Sequence, residues 1–142
     1  GFVADIKAVD TSLLDTLLAK DYIPVLSCLA TDDKGVCYNV NGDMFAGHIA
    51  AAMQADYYIV LTNVDGLMTD VNDPSSKITE LSLRELPKYY EDKTISGGMI
   101  TKMDSLKIAR ESGVESAFIL NGAKPGNIIE CLEGKTVGTK LI

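Results

Sequence analysis

Tyr57-Tyr58-Ile59-Val60-Leu61-Thr62 is the stretch from which the architecture follows. It is an unbroken run of aromatic, β-branched and aliphatic residues with no polar face, which predicts a strand buried on both sides. Upstream, Asn41 can cap a helix running to about Gln54, with Phe45, Ala46, Ile49, Ala50 and Met53 as its core stripe. Further upstream, Tyr22-Ile23-Pro24-Val25-Leu26-Ser27-Cys28-Leu29 reads as another buried strand, and Phe2 to Ala8 as a short alternating one. Asp10-Thr11-Ser12 offers a cap ahead of Leu13, Leu14, Leu17 and Leu18 at helical spacing. Asp32-Asp33-Lys34-Gly35 is a turn, with a short strand Val36-Cys37-Tyr38 after it. Downstream, a loop from Asn63 to Lys77 contains the turn Asp73-Pro74-Ser75-Ser76, and Ser82 to Tyr90 predicts a helix. Gly98 to Ser112 predicts a longer helix stopped by Gly113, then come a strand from Glu115 to Leu120, a helix from Pro125 to Leu132 and a strand from Thr139 to Ile142. Strands alternating with helices predict an α/β fold, with a mainly parallel sheet covered by helices and a site at the strands' carboxyl ends.

The 142 residues suit one domain with a real core. Hydrophobic residues make up 46% and charged residues 23%, an ordinary globular composition. A net charge of −7, with no run of Lys or Arg, argues against nucleic acid as a partner. No apolar stretch reaches membrane-spanning length and no signal-peptide pattern opens the chain, so no membrane role is expected. Cys28, Cys37 and Cys131 are odd in number and widely spaced, and are expected as buried free thiols in a reducing cytosol. His48, the single histidine, lies in an apolar helix and is expected to be structural; with no Cys-x-x-Cys present, no metal site is expected. Gly1-Phe2-Val3-Ala4-Asp5-Ile6 starts in mid-strand without a Met, which leads us to expect a fragment of a larger domain.

Two short segments carry the chemistry. Tyr38-Asn39-Val40-Asn41-Gly42-Asp43 places two amides and a carboxylate at a helix start. Asp43 there is favoured by the helix dipole, either as a plain N-terminal acid or as a carboxylate that orders lysines. Asn39 is either turn chemistry or an amide offered to a substrate carboxylate. Gly97-Gly98-Met99-Ile100-Thr101-Lys102 places a lysine behind two glycines. A cation in that first turn opposes the dipole at a cost of up to about 1 kcal/mol, which solvent exposure or a bound anion would offset. The glycines would let a phosphate approach the backbone. Thr62-Asn63-Val64-Asp65-Gly66, leaving the buried strand, is either a simple exit turn or the edge that receives a nucleotide. A carboxylate ordering lysines, a lysine meeting phosphate and free backbone amides are the parts of a phosphoryl-transfer site without a covalent intermediate. Neither a P-loop nor Gly-x-Gly-x-x-Gly is present, and Asp70-Val71-Asn72-Asp73 fails as a calcium loop because Pro74, Ser75 and Leu81 occupy required positions.

These segments resemble the amino acid kinase family, specifically the carboxyl-terminal half of those members that phosphorylate N-acetyl-L-glutamate. The likeness rests on Asn39-Val40-Asn41-Gly42-Asp43, on Leu61-Thr62-Asn63-Val64-Asp65-Gly66-Leu67, on Gly97-Gly98-Met99-Ile100-Thr101-Lys102 and on the closing Gly138-Thr139-Lys140-Leu141-Ile142. It implies a three-layer αβα sandwich with an open, mainly parallel sheet, of which residues 1–142 are the ATP-binding half and the N-terminal substrate half is absent. It implies attack of the acetylglutamate γ-carboxylate on ATP, giving an acyl phosphate in arginine biosynthesis. Lys102 and Asp43 would be catalytic, and Asn39 and Asn41 would face the substrate. Thr62, Asn63, Val64, Gly66, Gly98 and Met99 would line the nucleotide, with Mg2+ held through the ATP phosphates. The resemblance also implies a cytoplasmic homo-oligomer, joined through the absent half, and arginine feedback near the last helix, where Glu130 lies. A second catalytic lysine, the glycine-rich anion loops and a substrate-gripping arginine belong to the absent half, so a chain beginning at Gly1 is expected to be inactive alone. Asn63 stands where Asp is usual. Related acids (aspartate, glutamate, carbamate or an N-acyl aminoadipate) and a non-catalytic nucleotide-binding or regulatory module remain the alternatives.

Overall fold

The computed structural model describes residues 2–142; Gly1, read from the sequence as lying in mid-strand, is outside the described residues. The elements in order are α1 (Ser12–Leu18), β1 (Leu29–Thr31), β2 (Cys37–Asn39), α2 (Gly42–Ala52), β3 (Tyr57–Thr62), β4 (Leu67–Met68), β5 (Lys77–Ile78) and β6 (Glu80–Leu81). They continue with α3 (Leu86–Glu91), α4 (Gly98–Glu111), β7 (Ser116–Asn121), α5 (Asn127–Leu132) and β8 (Thr139–Leu141).

The main sheet runs β3-β7-β8-β6. β3 and β7 are parallel from Tyr57↔Ser116 to Thr62↔Asn121, and β6 and β8 are parallel as well. β8 lies antiparallel to β7, with Ile119 opposite Thr139, so the sheet is mixed, with its other two pairings parallel. The chain leaves the sheet after β7, forms the short α5 and re-enters at the same edge; an antiparallel partner needs no full crossover.

Side-chain alternation divides the sheet into two faces. Tyr58, Val60, Ala117 and Ile119 join Ala50, Met103, Leu106 and Ala109 of α2 and α4 in the larger core. Ile59, Phe118 and Leu120 turn the other way, toward Cys131 of α5 and Val137. Both faces of β7 are therefore buried, as its apolar sequence requires. Fully buried side chains such as Leu106 and Ile119 contribute about 1.5–3 kcal/mol each through burial.

Several sequence expectations need correction. Tyr22 to Leu29 is not a buried strand: Ile23 is 89% and Val25 93% exposed, and pairing begins only at Leu29. An apolar run records that something should cover it, but no layer of the described residues faces this one. Phe2 to Ala8 forms no strand and makes one bridge, Val3 to Asn39. Cys28, in the run before β1, and Cys37, in β2, are exposed, and of the three cysteines Cys131 alone is buried. In α2 the buried face is Gly47, Ala50 and Ala51 rather than Phe45, Ile49 and Met53, because α4 packs against its smallest residues. The loop after β3 contains a small antiparallel ladder, β4 with β5, around a 3-10 turn at Pro74–Ser76 capped by the Asp73 carboxylate. α3 begins at Leu86 rather than Ser82; Ser82 instead donates its amide and hydroxyl to Glu85, and Pro87 suits the first helical turn.

Candidate active site

β3 and β7 are parallel, and each is preceded by a helix running the opposite way, α2 and α4. The starts of both helices and the ends of both strands therefore meet at one edge of the sheet. At α2 the Asn41 side chain accepts from the amides of Asp43 and Met44, at 3.0 and 3.2 Å, which fixes where the helix begins. Asp43 then projects from the first turn. At α4, Gly97 enters with φ +53°, and space is open where side chains on Gly97 and Gly98 would stand. One turn on, Lys102 reaches across to α2.

Lys102 Nζ lies 3.1 Å from each carboxylate oxygen of Asp43. The two side chains are 23% and 21% exposed, so the pair is shielded without being sealed. An ammonium has three protons, and the carboxylate takes two of them, leaving one for a further anion. Thr101, beside Lys102, donates its hydroxyl to the same carboxylate at 2.9 Å. The dipole of α2 favours the acid at its N-terminus, and the acid in turn favours a cation at the otherwise unfavourable N-terminus of α4.

A buried brace lies beneath the pair. The Tyr58 hydroxyl is 3.2 Å from the Asp43 carbonyl and 3.0 Å from Ser105 Oγ, which donates to the Lys102 carbonyl at 2.7 Å. Burial, with the nearby Asp43 charge adding to it, pushes the Tyr58 phenol up to about 12. Gly47 faces Ser105 so closely that a Cβ would meet its carbonyl oxygen at 2.7 Å. Small residues on both helices thus let their backbones approach where the ion pair must form.

The end of β3 leads into a second polar cluster. Asp65 accepts from Asn121 at 2.7 Å and from Lys124 at 2.6 Å, tying the β3 exit to the β7 exit. These two bonds, Lys124 first, hold the Asp65 carboxyl below its ordinary range. Gly66 has φ +127°, and a Cβ there would meet Thr139 Oγ1 at 2.6 Å, so only glycine fits. Thr139 accepts the Leu67 amide at 2.8 Å and donates to the Ile78 carbonyl, which locks β4, β5 and β8 together. A cleft beside this cluster is lined by Asp65, Lys77, Lys124, Asn127, Val137 and Gly138.

Of the residues singled out in sequence, Asp43 and Lys102 are brought into contact. Asn41 spends its carbonyl oxygen on the α2 cap, and Asn39 is exposed in β2 with its backbone bonded to Phe2 and Ala4. Thr62, Asn63, Val64 and Gly66 follow one another at the end of β3, where Thr62 Oγ1 lies 3.4 Å from Asn63 Oδ1. Gly98 and Met99 open α4, and Met99 packs against the margin of the main core. Glu130 pairs with Lys135 at 3.7 Å. Sequence reasoning missed Gly47, Tyr58, Thr101, Ser105, Asn121 and Lys124. Thr101 stood inside a quoted motif, but the others become visible only once the helices and strands are side by side.

The profile of the amino acid kinase family matches residues 1–121. The acetylglutamate kinase of Methanocaldococcus jannaschii is 41% identical over 142 residues, covering 99% of this chain and 47% of that protein. The N-acetylglutamate synthase of Neisseria gonorrhoeae, solved with coenzyme A and L-arginine, superposes with a TM-score of 0.84 at 25% identity, over 99% of this chain and 32% of that one. Carbamate kinase from Giardia lamblia bound to AMP-PNP shares the fold, with a TM-score of 0.74 at 20% identity over 96% of this chain and 45% of that one. The chain spans about half the length of the curated relatives it matches. Matched by the family's profile over most of its length and built on the family's fold, it belongs to the amino acid kinase family.

Proposed function

We propose that this chain is the nucleotide-side half of a kinase that uses ATP to phosphorylate the γ-carboxylate of N-acetyl-L-glutamate in arginine biosynthesis, in the cytoplasm. One observation carries the reading: an ammonium, Lys102, held by Asp43 at an open helix start with a proton to spare. That is what a developing negative charge on a transferred phosphoryl group requires. Identity of 38–41% to several acetylglutamate kinases supports the choice of acid.

In this reading the acid's γ-carboxylate attacks the γ-phosphorus in line and ADP leaves, so one P–O bond forms as another breaks. Lys102 stabilises the charge that builds on the phosphoryl oxygens. Asp43 holds the lysine and aims it. The Gly98 amide donates to a phosphate oxygen, and Met99, whose own amide is bonded to the Ser96 carbonyl, helps cover the nucleotide. Thr62, Asn63, Val64 and Gly66 lie along the nucleotide, on a loop kept in place by the Asp65–Asn121–Lys124 cluster. Asn39 and Asn41 face the acid, Asn41 through the amide nitrogen that capping leaves free. Among the described residues no group of three or more acids, histidines or cysteines gathers. Mg2+ would therefore be held through the ATP phosphates, where it would neutralise charge.

The exposed apolar segment 22–29 and the outer edge of β3, where Tyr57 and Leu61 are each 48% exposed, fit a further layer supplied by the N-terminal substrate half. That half would bring the second lysine and the acid's other contacts, and this chain alone would not turn over. Assembly into a homo-oligomer and control by arginine near Glu130 belong to the same proposal.

The test is ATP-dependent acyl phosphate formation by the complete polypeptide, trapped as a hydroxamate, with N-acetylglutamate, glutamate and aspartate side by side. Turnover confined to N-acetylglutamate is expected. Turnover with another acid instead would move the substrate and keep the site.

A further inference from the structure

The Thr101 hydroxyl has no part in the chemistry described so far, yet it touches the central carboxylate. It has one proton and two acceptors in reach, Asp43 Oδ2 at 2.9 Å and the Gly98 carbonyl at 3.3 Å. The shorter contact is to the charged oxygen, and a charge-assisted bond is the stronger of the two. Asp43 Oδ2 thus has two donors and Oδ1 one, with Lys102 serving both oxygens.

The Asp43 main chain is already fixed. Its amide is held by Asn41 and its carbonyl by Tyr58. Rotation of the carboxylate is a separate freedom, and among the described residues only Lys102 and Thr101 restrain it. The two restraints differ in kind. Lys102 is a long, flexible cation that an anionic substrate competes for. Thr101 is short and β-branched, with χ1 restricted by its helix, and its hydroxyl carries no charge for a phosphate to attract.

We propose that Thr101 is a positioning residue, holding the Asp43 carboxylate in place across the α2–α4 gap while Lys102 is drawn toward the phosphoryl group. The role rests on the kinase reading given above. Without the hydroxyl, Asp43 turns as Lys102 engages its substrate, and the ammonium loses its aim at the step that needs it. Loss of alignment falls on turnover and spares ground-state binding.

The test compares Thr101→Val, which keeps the shape and removes the hydroxyl, with Thr101→Ser, which keeps the hydroxyl, in the complete polypeptide. For Thr101→Val, kcat is expected to fall about tenfold, the low end for a hydrogen bond to a charged group, with both KM values within about twofold. Thr101→Ser is expected to restore kcat to within about twofold of the parent. A parental rate for Thr101→Val, or a Thr101→Ser as slow as Thr101→Val, overturns the role. A second readout needs no turnover: the 13Cγ resonance of Asp43 in the substrate-free polypeptide should move in Thr101→Val and stay in place in Thr101→Ser. If the unsubstituted polypeptide phosphorylates no acid, the kinase reading fails. The resonance then decides alone, and an Asp43 signal unmoved in Thr101→Val overturns the positioning role.

Discussion

Gly47 and Ser105 are in backbone contact one helical turn below the Asp43–Lys102 pair, with room for no Cβ between them: one on Gly47 would stand 2.7 Å from the Ser105 carbonyl oxygen. Each contact residue lies three or four positions after its member of the pair, on the same helix face. The separation of α2 and α4 there sets whether a lysine and an aspartate 59 residues apart can meet at 3.1 Å. Gly47→Ala is therefore expected to push the helices apart. Overpacking of this kind costs about 1–3 kcal/mol, partly offset by about 1 kcal/mol of helix propensity. Denaturant titration should show a lower midpoint, and a midpoint above the parent's would mean that α2 and α4 are free to separate.

Tyr58 supplies a pH dependence with a definite sign. Its phenol is raised from 10.0 to about 12, chiefly by burial, so the folded state favours the neutral form. A raised pKa gives stability that is complete below the unfolded value and lost as pH rises through the folded one. Stability should accordingly fall between about pH 10 and about 12. In Tyr58→Phe that alkaline loss should shrink, while neutral-pH stability drops by about 1–3 kcal/mol as Ser105 and the Asp43 carbonyl lose a partner. Equal alkaline curves for the two proteins would show that another group governs the transition.

Asp65 works in the opposite direction. Lys124 and then Asn121 lower its carboxyl from 3.8. A depressed pKa gives stability that is present above the unfolded value and lost as pH falls through the folded one. The clamp between the β3 and β7 exits should therefore loosen only below about pH 4. Lys124→Met is expected to move the Asp65 titration upward, as read from its side-chain carbon resonance, and to weaken nucleotide binding more than binding of the acid. An unmoved titration would leave Asn121 as the sole partner that matters.

The segment 22–29 offers a test of the proposed N-terminal half. In the chain as described, Val25 is 93% exposed, and Val25→Asp should change stability by about 0.5 kcal/mol or less. If the N-terminal half covers that segment, the same substitution in the complete polypeptide buries a charge and costs several kcal/mol. Thermal unfolding of both forms checks this, and equal small effects would argue against such a layer.

Much of the fold was legible because hydrophobic period and punctuation agreed. Asn41 caps α2, Gly113 ends α4 with φ +102°, and the apolar runs at Tyr57 and Glu115 became β3 and β7. The failures share one cause: a local pattern does not name its partner. Tyr22 to Leu29 has strand composition but nothing opposite it, and β8 reads as a strand without disclosing that it runs antiparallel to β7. The site was legible in the same measure. Asp43 and Lys102 declared themselves as charges at helix starts, where a residue's cost or benefit is local. Tyr58, Ser105 and Gly47 read as ordinary core residues, because their role depends on a helix crossing that no local pattern shows.

Turnover of Lys102→Ala in the complete polypeptide, with ATP and N-acetylglutamate, bears most directly on the Asp43–Lys102 pair as the phosphoryl-transfer centre. The expected result is a fall in kcat of roughly 10²-fold or more, on the scale of a lost oxyanion donor, with a far smaller change in KM for the acid. Unchanged turnover would contradict the assignment and reduce the pair to a bolt between two helices.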